Sequence, residues 1–237
     1  MSSEVESLRD DKTRAFEVRK FCSIHAGADE HLIEFWEFGE ADAPLVSIII
    51  PLYNCERYLA ETLDSIVSQS LSSWEAILVD DCSSDGSLEI ALQFSERDHR
   101  FVVLRNDCNR GAAFSRNRAL AAACGRFIAY LDSDDYWKKE KLERQITFMT
   151  ENRFGACMTS YETVNEDGSF RNIVHIDERL DYKKFLKKPP TCSTHDHVRY
   201  RAQSIKKLSS CRIYEKGRIA ATWLQVIKLY GCLHGFR

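Results

Sequence analysis

The stretch between Leu45 and Asp81 constrains the fold more than any other part of the chain. Two apolar runs, Leu45–Ile50 and Ala76–Val79, flank a segment whose apolar residues follow helical spacing. Two buried strands joined by one helix lie parallel, so their carboxyl ends reach the same edge of a sheet. Ligands of open α/β sheets bind at that edge. The residues that follow the two runs, among them Tyr53 and Asp81, are therefore the first candidates for a binding site.

The helical segment after the first run has an apolar face, which predicts that it covers the sheet. That face comprises Leu59, Leu63, Ile66 and Val67, at positions i, i+4, i+7 and i+8. We predict further helices over 87–97, 112–124 and 138–151, and further strands over 101–104, 126–131 and 156–160. The predicted inner faces of two of these helices are Leu88, Ala91 and Leu92, and Leu142, Ile146 and Met149. This order predicts an α/β fold with a doubly wound, mixed but mainly parallel sheet.

Acidic residues follow two of the predicted strands, at the edge where a ligand is expected. Asp80 and Asp81 follow one strand, and Asp132, Asp134 and Asp135 follow another. Three carboxylates within four residues repel one another, which disfavours folding unless a cation compensates. Mg²⁺ and Mn²⁺ take oxygen ligands, commonly one or two carboxylates together with substrate phosphates. The second cluster is therefore either a divalent metal site or a solvated acidic turn at the start of a helix.

The sequence lacks the glycine-rich loops that hold dinucleotides or triphosphates. Neither GxGxxG nor GxxxxGK[ST] occurs, which also argues against a sugar nucleotidylyltransferase. Arg110, Gly111 and Arg116 precede the acidic cluster by one segment, and cations beside a metal suit a diphosphate. The alternative for Arg116 and Arg118 is an exposed helix face, and for Arg118 we prefer that alternative.

Three motifs occur in order along the chain. They are VSIIIPLYNCERYLAETLDSIVSQSLSSWEAILVDDCSSDGS, NRGAAFSRNRAL and GRFIAYLDSDDYW. Together they resemble family 2 of the inverting glycosyltransferases, of the kind that builds bacterial surface polysaccharides. The resemblance extends from Val46 to about Tyr161 and implies the A-type nucleotide-sugar-binding fold. It also implies transfer of a sugar from a nucleoside-diphosphate sugar, most often a UDP-sugar, to a glycan or lipid-linked acceptor.

The resemblance further implies which residues bind the nucleotide sugar. They are Pro51, Tyr53, Asp81, Gly111, Arg116 and Asp132. Tyr53 would offer its ring to the base, Asp81 would hydrogen-bond the base, and Gly111 would allow a close backbone approach. Residues 132–134 look like the family's DxD motif, which implies Mn²⁺ or Mg²⁺ on Asp134. Asp132 would assist through the ribose or the water shell of the metal.

The mechanism implied by the resemblance is a single displacement, in which a carboxylate base takes the proton of the acceptor hydroxyl. In the family, a Glu-Asp pair before an aromatic, leucine-containing helix supplies that base. Ala221–Gln225 looks like this helix, but no Glu-Asp pair precedes it. Asp196 and Glu215 are the nearby carboxylates, and neither has matching neighbours, so we assign no catalytic base. An alternative function stays open, a nucleotide-sugar-binding protein that has lost catalysis.

Composition suits a globular protein of 237 residues, with 44% hydrophobic and 29% charged residues. We divide the chain into an N-terminal extension (1–44), a nucleotide-sugar-binding domain (45–182) and a basic segment (183–237). Residues 183–218 contain 11 Lys and Arg but two acids. They either contact anionic head groups at the inner face of a membrane or form a solvated surface. The net charge of −3 argues against a nucleic-acid partner.

The cysteines predict a reducing, cytoplasmic setting. Nine of them are scattered along the chain without a CxxC pair, and we interpret them as small core residues. We see no secretory signal at the start of the sequence, and no apolar run reaches the ~18 residues of a membrane span.

Overall fold

A computed structural model describes residues 43–152, 154, 156–165, 167–175, 179–181, 196–199 and 232–236. The predicted N-terminal extension, except its last two residues, lies outside this part of the chain. Most of the predicted basic segment, including the helix-like stretch 221–225 and Glu215, also lies outside it.

The described part of the chain alternates strands and helices up to α4 and continues with strands. Its elements are β1 (Val46–Leu52), α1 (Glu56–Val67), β2 (Trp74–Asp80), α2 (Ser87–Arg97), β3 (Phe101–Arg105), α3 (Ala112–Ala122), β4 (Phe127–Tyr130), α4 (Lys141–Glu151), β5 (Ala156–Thr159), β6 (Tyr161–Val164), β7 (Phe170–Val174), β8 (Arg179–Asp181), β9 (Asp196–Arg199) and β10 (Cys232–Phe236). Each predicted helix and strand up to β5 is present, with ends that differ from the predictions by a few residues.

The main sheet has the strand order β3-β2-β1-β4-β9-β5-β10-β8. Strands β3, β2, β1 and β4 are parallel neighbours, whereas β9 pairs antiparallel with both β4 and β5. Strand β10 runs parallel to β5 and antiparallel to β8. The predicted α/β fold with a mixed, mainly parallel sheet is confirmed. The parallel half brings the carboxyl ends of β1, β2, β3 and β4 to one edge.

Strand β1 lies at the centre of the core, and all seven of its residues are buried. It continues through Pro51 to Leu52, past the predicted end at Ile50. Proline lacks an N–H and usually disrupts a central strand. Here the register with β4 ends at the pair Ile49 and Tyr130, so Pro51 interrupts no ladder on that side.

Two helix faces differ from the prediction by one residue each. In α1, Leu59, Leu63 and Ile66 are buried as predicted, but Val67 is 45% exposed. In α2, Ala91 is buried and Leu88 is partly buried, whereas Leu92 is 44% exposed. Each helical residue is rotated by about 100° from the one before it, so a residue next to the inner stripe turns towards solvent. The predicted inner face of α4 is confirmed, because Leu142, Ile146 and Met149 are all buried.

A small polar network ties the amino ends of β1, β2 and β4 together. The Ser47 hydroxyl donates to Glu75 Oε1 at 2.5 Å, and the Gly125 N–H donates to Ser47 Oγ at 2.7 Å. The Cys124 N–H donates to the same Glu75 oxygen at 2.8 Å. Burial raises the pKa of Glu75 above its ordinary value of 4.5, although hydrogen bonds from Ser47, Cys124 and Gly125 oppose the rise.

Strands β6 and β7 form a separate antiparallel hairpin. Two backbone hydrogen bonds of 2.9 Å close the turn between them, from Asn165 N to Ser169 O and from Gly168 N to Asn165 O. Gly168 has a φ of +79°, which favours glycine in such a turn.

The cysteine prediction holds for Cys55 and Cys157, which are buried, and is wrong for Cys108, which is exposed on the turn after β3. Of the cysteines in the described part, Cys55, Cys82, Cys108, Cys124 and Cys157 are free thiols. Among the described helices, none has both the length and the apolar character to cross a bilayer.

Candidate functional site

A cavity of about 360 Å³ lies at the carboxyl edge of the parallel strands. Its lining residues come from the ends of β1, β2 and β4 and from the first turns of α1 and α3: Pro51, Leu52, Tyr53, Asn54, Cys55, Tyr58, Asp81, Ala112, Arg116, Asp132, Ser133 and Asp134. Six of the seven predicted site residues are among them. The seventh, Gly111, lies beside the cavity and donates its N–H to Asp81. The structure thus brings together residues that are far apart in sequence.

Asp81 holds the turn that follows β3. Its side chain is buried and accepts three hydrogen bonds. The donors are Asn106 Nδ2 at 2.7 Å, Arg110 N at 2.9 Å and Gly111 N at 2.6 Å. Gly111 has a φ of +86°, a conformation that disfavours other residues. Glycine is favoured at position 111 because the backbone turns there to donate its N–H to Asp81.

Asn106 is part of this site, and our sequence analysis missed it. Besides Asp81, its amide donates to Ser115 Oγ at 3.0 Å, and its oxygen accepts from Arg118 Nη1 at 2.8 Å. The sequence held a usable signal. Asp80 and Arg105 are register partners on β2 and β3, so Asp81 and Asn106 each follow the last residue of neighbouring parallel strands.

The preferred interpretation of Arg118 as part of an exposed helix face is wrong. Its guanidinium is half-buried and donates to the Arg105 carbonyl at 2.5 Å as well as to Asn106. Arg118 turns inward because its guanidinium donates to two oxygens at the end of β3, the Arg105 carbonyl and Asn106 Oδ1.

The same alternative is also wrong for Arg116, which is 93% buried and reaches Asp132. Its Nη2 lies 2.6 Å from Asp132 Oδ1. Its Nε is buried and has no hydrogen-bond partner in the part of the chain that the structure describes. A buried unpaired donor is costly. The cavity therefore contains a fixed positive charge with unused hydrogen-bonding capacity beside a carboxylate.

Asp134 differs from Asp132 in being exposed. Within the described residues, its carboxylate has no hydrogen bond or ion pair. The turn that carries it is anchored on α1, because Thr62 Oγ1 donates to the Ser133 carbonyl at 3.0 Å. Thr62 is itself buried on the inner face of α1. Helix α1 thus positions the acidic turn as well as covering the sheet.

Asp135 shows that negative charge is in excess at this turn. Burial, first, and then the charges of Asp132 and Asp134 together raise its pKa to about 7, against the opposing effect of Lys141. No group of three or more His, Cys, Asp and Glu suited to a metal occurs among the described residues. Sites for Mg²⁺ and Mn²⁺ often use one or two carboxylates, waters and substrate phosphates. The residues present fit a cation of that kind.

Cys55 and Tyr58, from the connection between β1 and α1 and from the first turn of that helix, also line the cavity and were not predicted. Asn54, which follows the first apolar run and was expected at this edge, lines the cavity as well. Asn54 adopts a φ of +48°, which is rare outside glycine. Such a conformation cannot be read from a single sequence, because asparagine in a turn has many other uses.

Comparisons with known proteins agree with this architecture. The family model described as "Glycosyl transferase family 2" matches residues 47–209, more than half of the chain. A Bacillus subtilis (strain 168) protein, TuaG, is 45% identical over 145 residues and is provisionally named a glycosyltransferase of teichuronic acid biosynthesis. The Escherichia coli UDP-Glc:alpha-D-GlcNAc-diphosphoundecaprenol beta-1,3-glucosyltransferase WfgD is 41% identical over 146 residues.

These alignments cover part of each protein. The TuaG match includes 61% of this chain and 58% of TuaG, and the WfgD match includes 62% of this chain and 56% of WfgD. The chain therefore spans somewhat over half the length of these relatives.

Solved structures agree with the fold. The S. aureus TarS 1–349 complex with UDP has a TM-score of 0.63 and 26% identity, over 81% of this chain and 57% of that one. The TarS 1–349 complex with UDP-GlcNAc has a TM-score of 0.63 and 27% identity, over 81% and 55%. From the ordered motifs, the fold and the extent of the family match, we conclude that this chain belongs to glycosyl transferase family 2.

Proposed function

We propose that this chain transfers a sugar from a UDP-sugar to a glycan or lipid-linked acceptor of a surface polysaccharide, with inversion. The observation that carries the proposal is the single cavity that Asp81 and Asp134 both line. One end of this cavity offers buried acceptors and an exposed ring, and the other offers carboxylates beside an arginine. This polarity matches a ligand with a base at one end and a diphosphate at the other.

At the base end, the exposed ring of Tyr53 stacks on the nucleoside base, and Pro51 forms the floor beside it. Asp81 accepts a hydrogen bond from the base while it holds the turn that carries Gly111. The relatives and neighbours support uracil as the base, because WfgD is named for a UDP-sugar and TarS has been solved with UDP and with UDP-GlcNAc.

At the diphosphate end, Asp134 and Asp132 would hold Mn²⁺ or Mg²⁺, and Arg116 contributes a second positive charge. When bound, the cation stabilises the negative charge of the departing nucleoside diphosphate. Arg116 orients Asp132 through their ion pair and keeps that carboxylate in place. Three aspartates, Asp132, Asp134 and Asp135, lie close together in this turn, so a cation is the partner that would offset their negative charge.

The acceptor hydroxyl attacks the anomeric carbon as the bond to the diphosphate breaks, and a carboxylate base removes the hydroxyl proton. We leave that base unassigned. Contact of residues 183–218 with a membrane surface also stays a prediction.

The first experiment measures UDP binding by isothermal titration calorimetry with Mn²⁺ present. Asp134→Ala is expected to weaken Mn²⁺-dependent UDP binding by about 100-fold, because it removes a direct metal ligand. Asp64→Ala is the matched control, since Asp64 is an exposed aspartate on α1 outside the cavity. Equal UDP affinity of the Asp134→Ala variant and the unsubstituted chain would contradict the proposed metal site.

A second experiment separates catalysis from binding alone. The substrates named for WfgD, UDP-Glc and a GlcNAc-diphosphate-linked polyprenol, are the first pair to test, followed by other UDP-sugars. Transfer or hydrolysis of the donor supports the enzyme. UDP binding without turnover for any donor and acceptor supports the alternative, a nucleotide-sugar-binding protein that has lost catalysis.

A further inference from the structure

The helices α1 and α2 are capped by each other's residues, at the loops that follow β1 and β2. Neither Cys55, at the N-cap of α1, nor Gly86, at the N-cap of α2, makes a side-chain cap hydrogen bond. Instead, Asp85 Oδ2 accepts from the Glu56 N–H at 3.1 Å, and Glu56 Oε2 accepts from the Gly86 N–H at 2.5 Å. The N–H groups at a helix start require such partners. The start of each helix therefore finds a hydrogen-bond acceptor on a residue at the start of the other helix.

Ser87 extends this contact into the protein. The other oxygen of Asp85 accepts from the Ser87 N–H at 3.0 Å and from its hydroxyl at 2.5 Å. The Ser87 oxygen in turn accepts from the Cys55 N–H at 2.8 Å. A hydroxyl has one proton, so donation to Asp85 leaves the lone pairs of Ser87 for Cys55. Asp85 thus fixes the backbone of Cys55 through a fully buried serine.

The loop held in this way forms one wall of the cavity. Tyr53, Asn54 and Cys55 all line the cavity, whereas Asp85 does not. Asn54 has a φ of +48°, a conformation that persists when surrounding contacts fix it. Here the Ser84 N–H donates to Asn54 Oδ1 at 2.9 Å, and the Asn54 N–H donates to Ser83 Oγ at 3.1 Å. The wall therefore depends on hydrogen bonds from the neighbouring loop.

We propose that Asp85 is a positioning residue that holds the Tyr53–Cys55 wall against the Asp81 wall and thereby sets selectivity for the nucleoside base. This inference rests on the proposed nucleotide site. Asp85 acts on the base end of the cavity. The acidic turn at the other end is anchored by Thr62, on the second turn of α1, and not by Asp85.

The test compares Asp85→Ala with Asp167→Ala in the full 237-residue chain. Asp167 is a matched control, because its Oδ1 accepts from the Ser169 N–H at 2.9 Å and from its hydroxyl at 2.5 Å, in the same local pattern. Asp167 lies on the hairpin turn outside the cavity. Calorimetry with Mn²⁺ gives the dissociation constants of UDP, CDP and GDP for each variant, and circular dichroism establishes that each is folded at the temperature used.

Asp85→Ala is expected to weaken UDP binding by about tenfold. It should weaken CDP and GDP binding less, so that the dissociation constants of the three nucleotides become more similar. A defect at the diphosphate end would instead weaken all three nucleotides equally, and Asp167→Ala should leave all three unchanged. Glu56→Ala, which removes the reciprocal cap, should change the preference in the same direction. The double variant should lose less than the product of the single losses, because both residues act on one contact.

Unchanged UDP affinity and base preference in folded Asp85→Ala or Glu56→Ala would overturn the inference while leaving the proposed function intact. Equal weakening of all three nucleotides would also overturn it. Absence of UDP binding by the unsubstituted chain would overturn the proposed nucleotide site, and this inference with it.

Discussion

At the scale of single residues, the aspartates at the rim of the sheet differ in their partners and therefore in what they can do. Asp81 is held by three N–H donors and Asp132 by Arg116, whereas exposed Asp134 has no such partner in the described part of the chain. Burial and like charges raise the pKa of Asp135 to about 7. All of these residues are aspartates, so the difference lies in the donors around each carboxylate. Asp81, with three donors, is suited to hold a loop, whereas exposed Asp134 is suited to bind a cation.

The first residue-scale prediction concerns Arg116. Arg116→Met removes the positive charge beside Asp132 and leaves three neighbouring carboxylates without it. We expect a loss of about 1–3 kcal/mol in the free energy of unfolding, less than for a fully buried pair because Asp132 is partly exposed. Urea titrations measure this loss, with Arg171→Met on the exposed hairpin as control. Unfolding that matches the unsubstituted chain would mean that the ion pair contributes nothing.

The second concerns the pH dependence of stability through Glu75. Its pKa is raised in the folded chain, first by burial, so the folded state holds the proton more tightly than the unfolded state. This contribution is fully present below the ordinary value of 4.5 and is lost as the pH rises from there through the folded pKa. Glutamine does not titrate in this pH range. The free energy of unfolding of Glu75→Gln, minus that of the original chain, should therefore increase as the pH rises from 4.5 through the folded pKa of Glu75.

Urea titrations between pH 4 and about pH 8 measure this difference in stability. Glu61→Gln, at an exposed position on α1, controls for the exchange of an acid for an amide. A difference between Glu75→Gln and the original chain that does not change with pH would contradict the raised pKa.

At the scale of elements, polar contacts fix both ends of the parallel strands. The Ser47, Glu75 and Gly125 network joins their amino ends, and the exchanged caps of α1 and α2 join the loops at their carboxyl ends. The backbone ladder sets the register along each strand, and the side-chain hydrogen bonds at the ends set where the connecting loops lie. These ends therefore decide where the side chains of the cavity stand.

Gly125 provides the prediction at this scale. A Cβ at this position would lie 2.5 Å from the Ser47 backbone nitrogen and 2.7 Å from Ser47 Oγ. Gly125→Ala must push β4 away from β1, which should cost about 1–3 kcal/mol or more of unfolding free energy. Gly86→Ala is the comparison, because its Cβ would meet a side-chain atom, Glu56 Oε2 at 2.9 Å, which can shift at the cost of one cap hydrogen bond, and no backbone atom of another strand. Equal costs for both substitutions would contradict the close strand packing.

At the scale of the whole molecule, one sheet edge gathers the ends of β1, β2 and β4 and the start of α3 around a single cavity. A ligand that spans this cavity contacts every one of these elements at once. It should therefore stabilise the folded domain as a unit and not merely order one loop.

Thermal unfolding tests this expectation. UDP with Mn²⁺ at about 100 times its dissociation constant should add about 2.7 kcal/mol, which raises the Tm by about 5–10 °C. Removal of the metal with EDTA should abolish most of the shift, since the carboxylates of Asp134 and Asp132 would then face the diphosphate with no cation to offset their charge. A shift that is equal with and without EDTA would contradict metal-dependent binding.

The sequence by itself determined the order of elements up to β5 and the position of the binding edge. Local periodicity decides whether a segment becomes a strand or a helix, and parallel strands joined by helices end at one edge. For the same reason Asp81, Asp132 and Asp134 could be predicted to meet. The resemblance to a family then added Pro51 and the expected role of Tyr53.

The placement of Arg116 and Arg118, and the contact between Glu56 and Asp85, followed only from the way the elements pack in three dimensions. An arginine on an alanine-rich helix gives no periodic signal, so its burial depends on which oxygens a distant strand presents. The position of β9 between β4 and β5 was likewise not predictable, because pairing between distant strands leaves no local pattern. Periodicity records which side of an element faces the core, whereas a polar partner is chosen only when the elements meet.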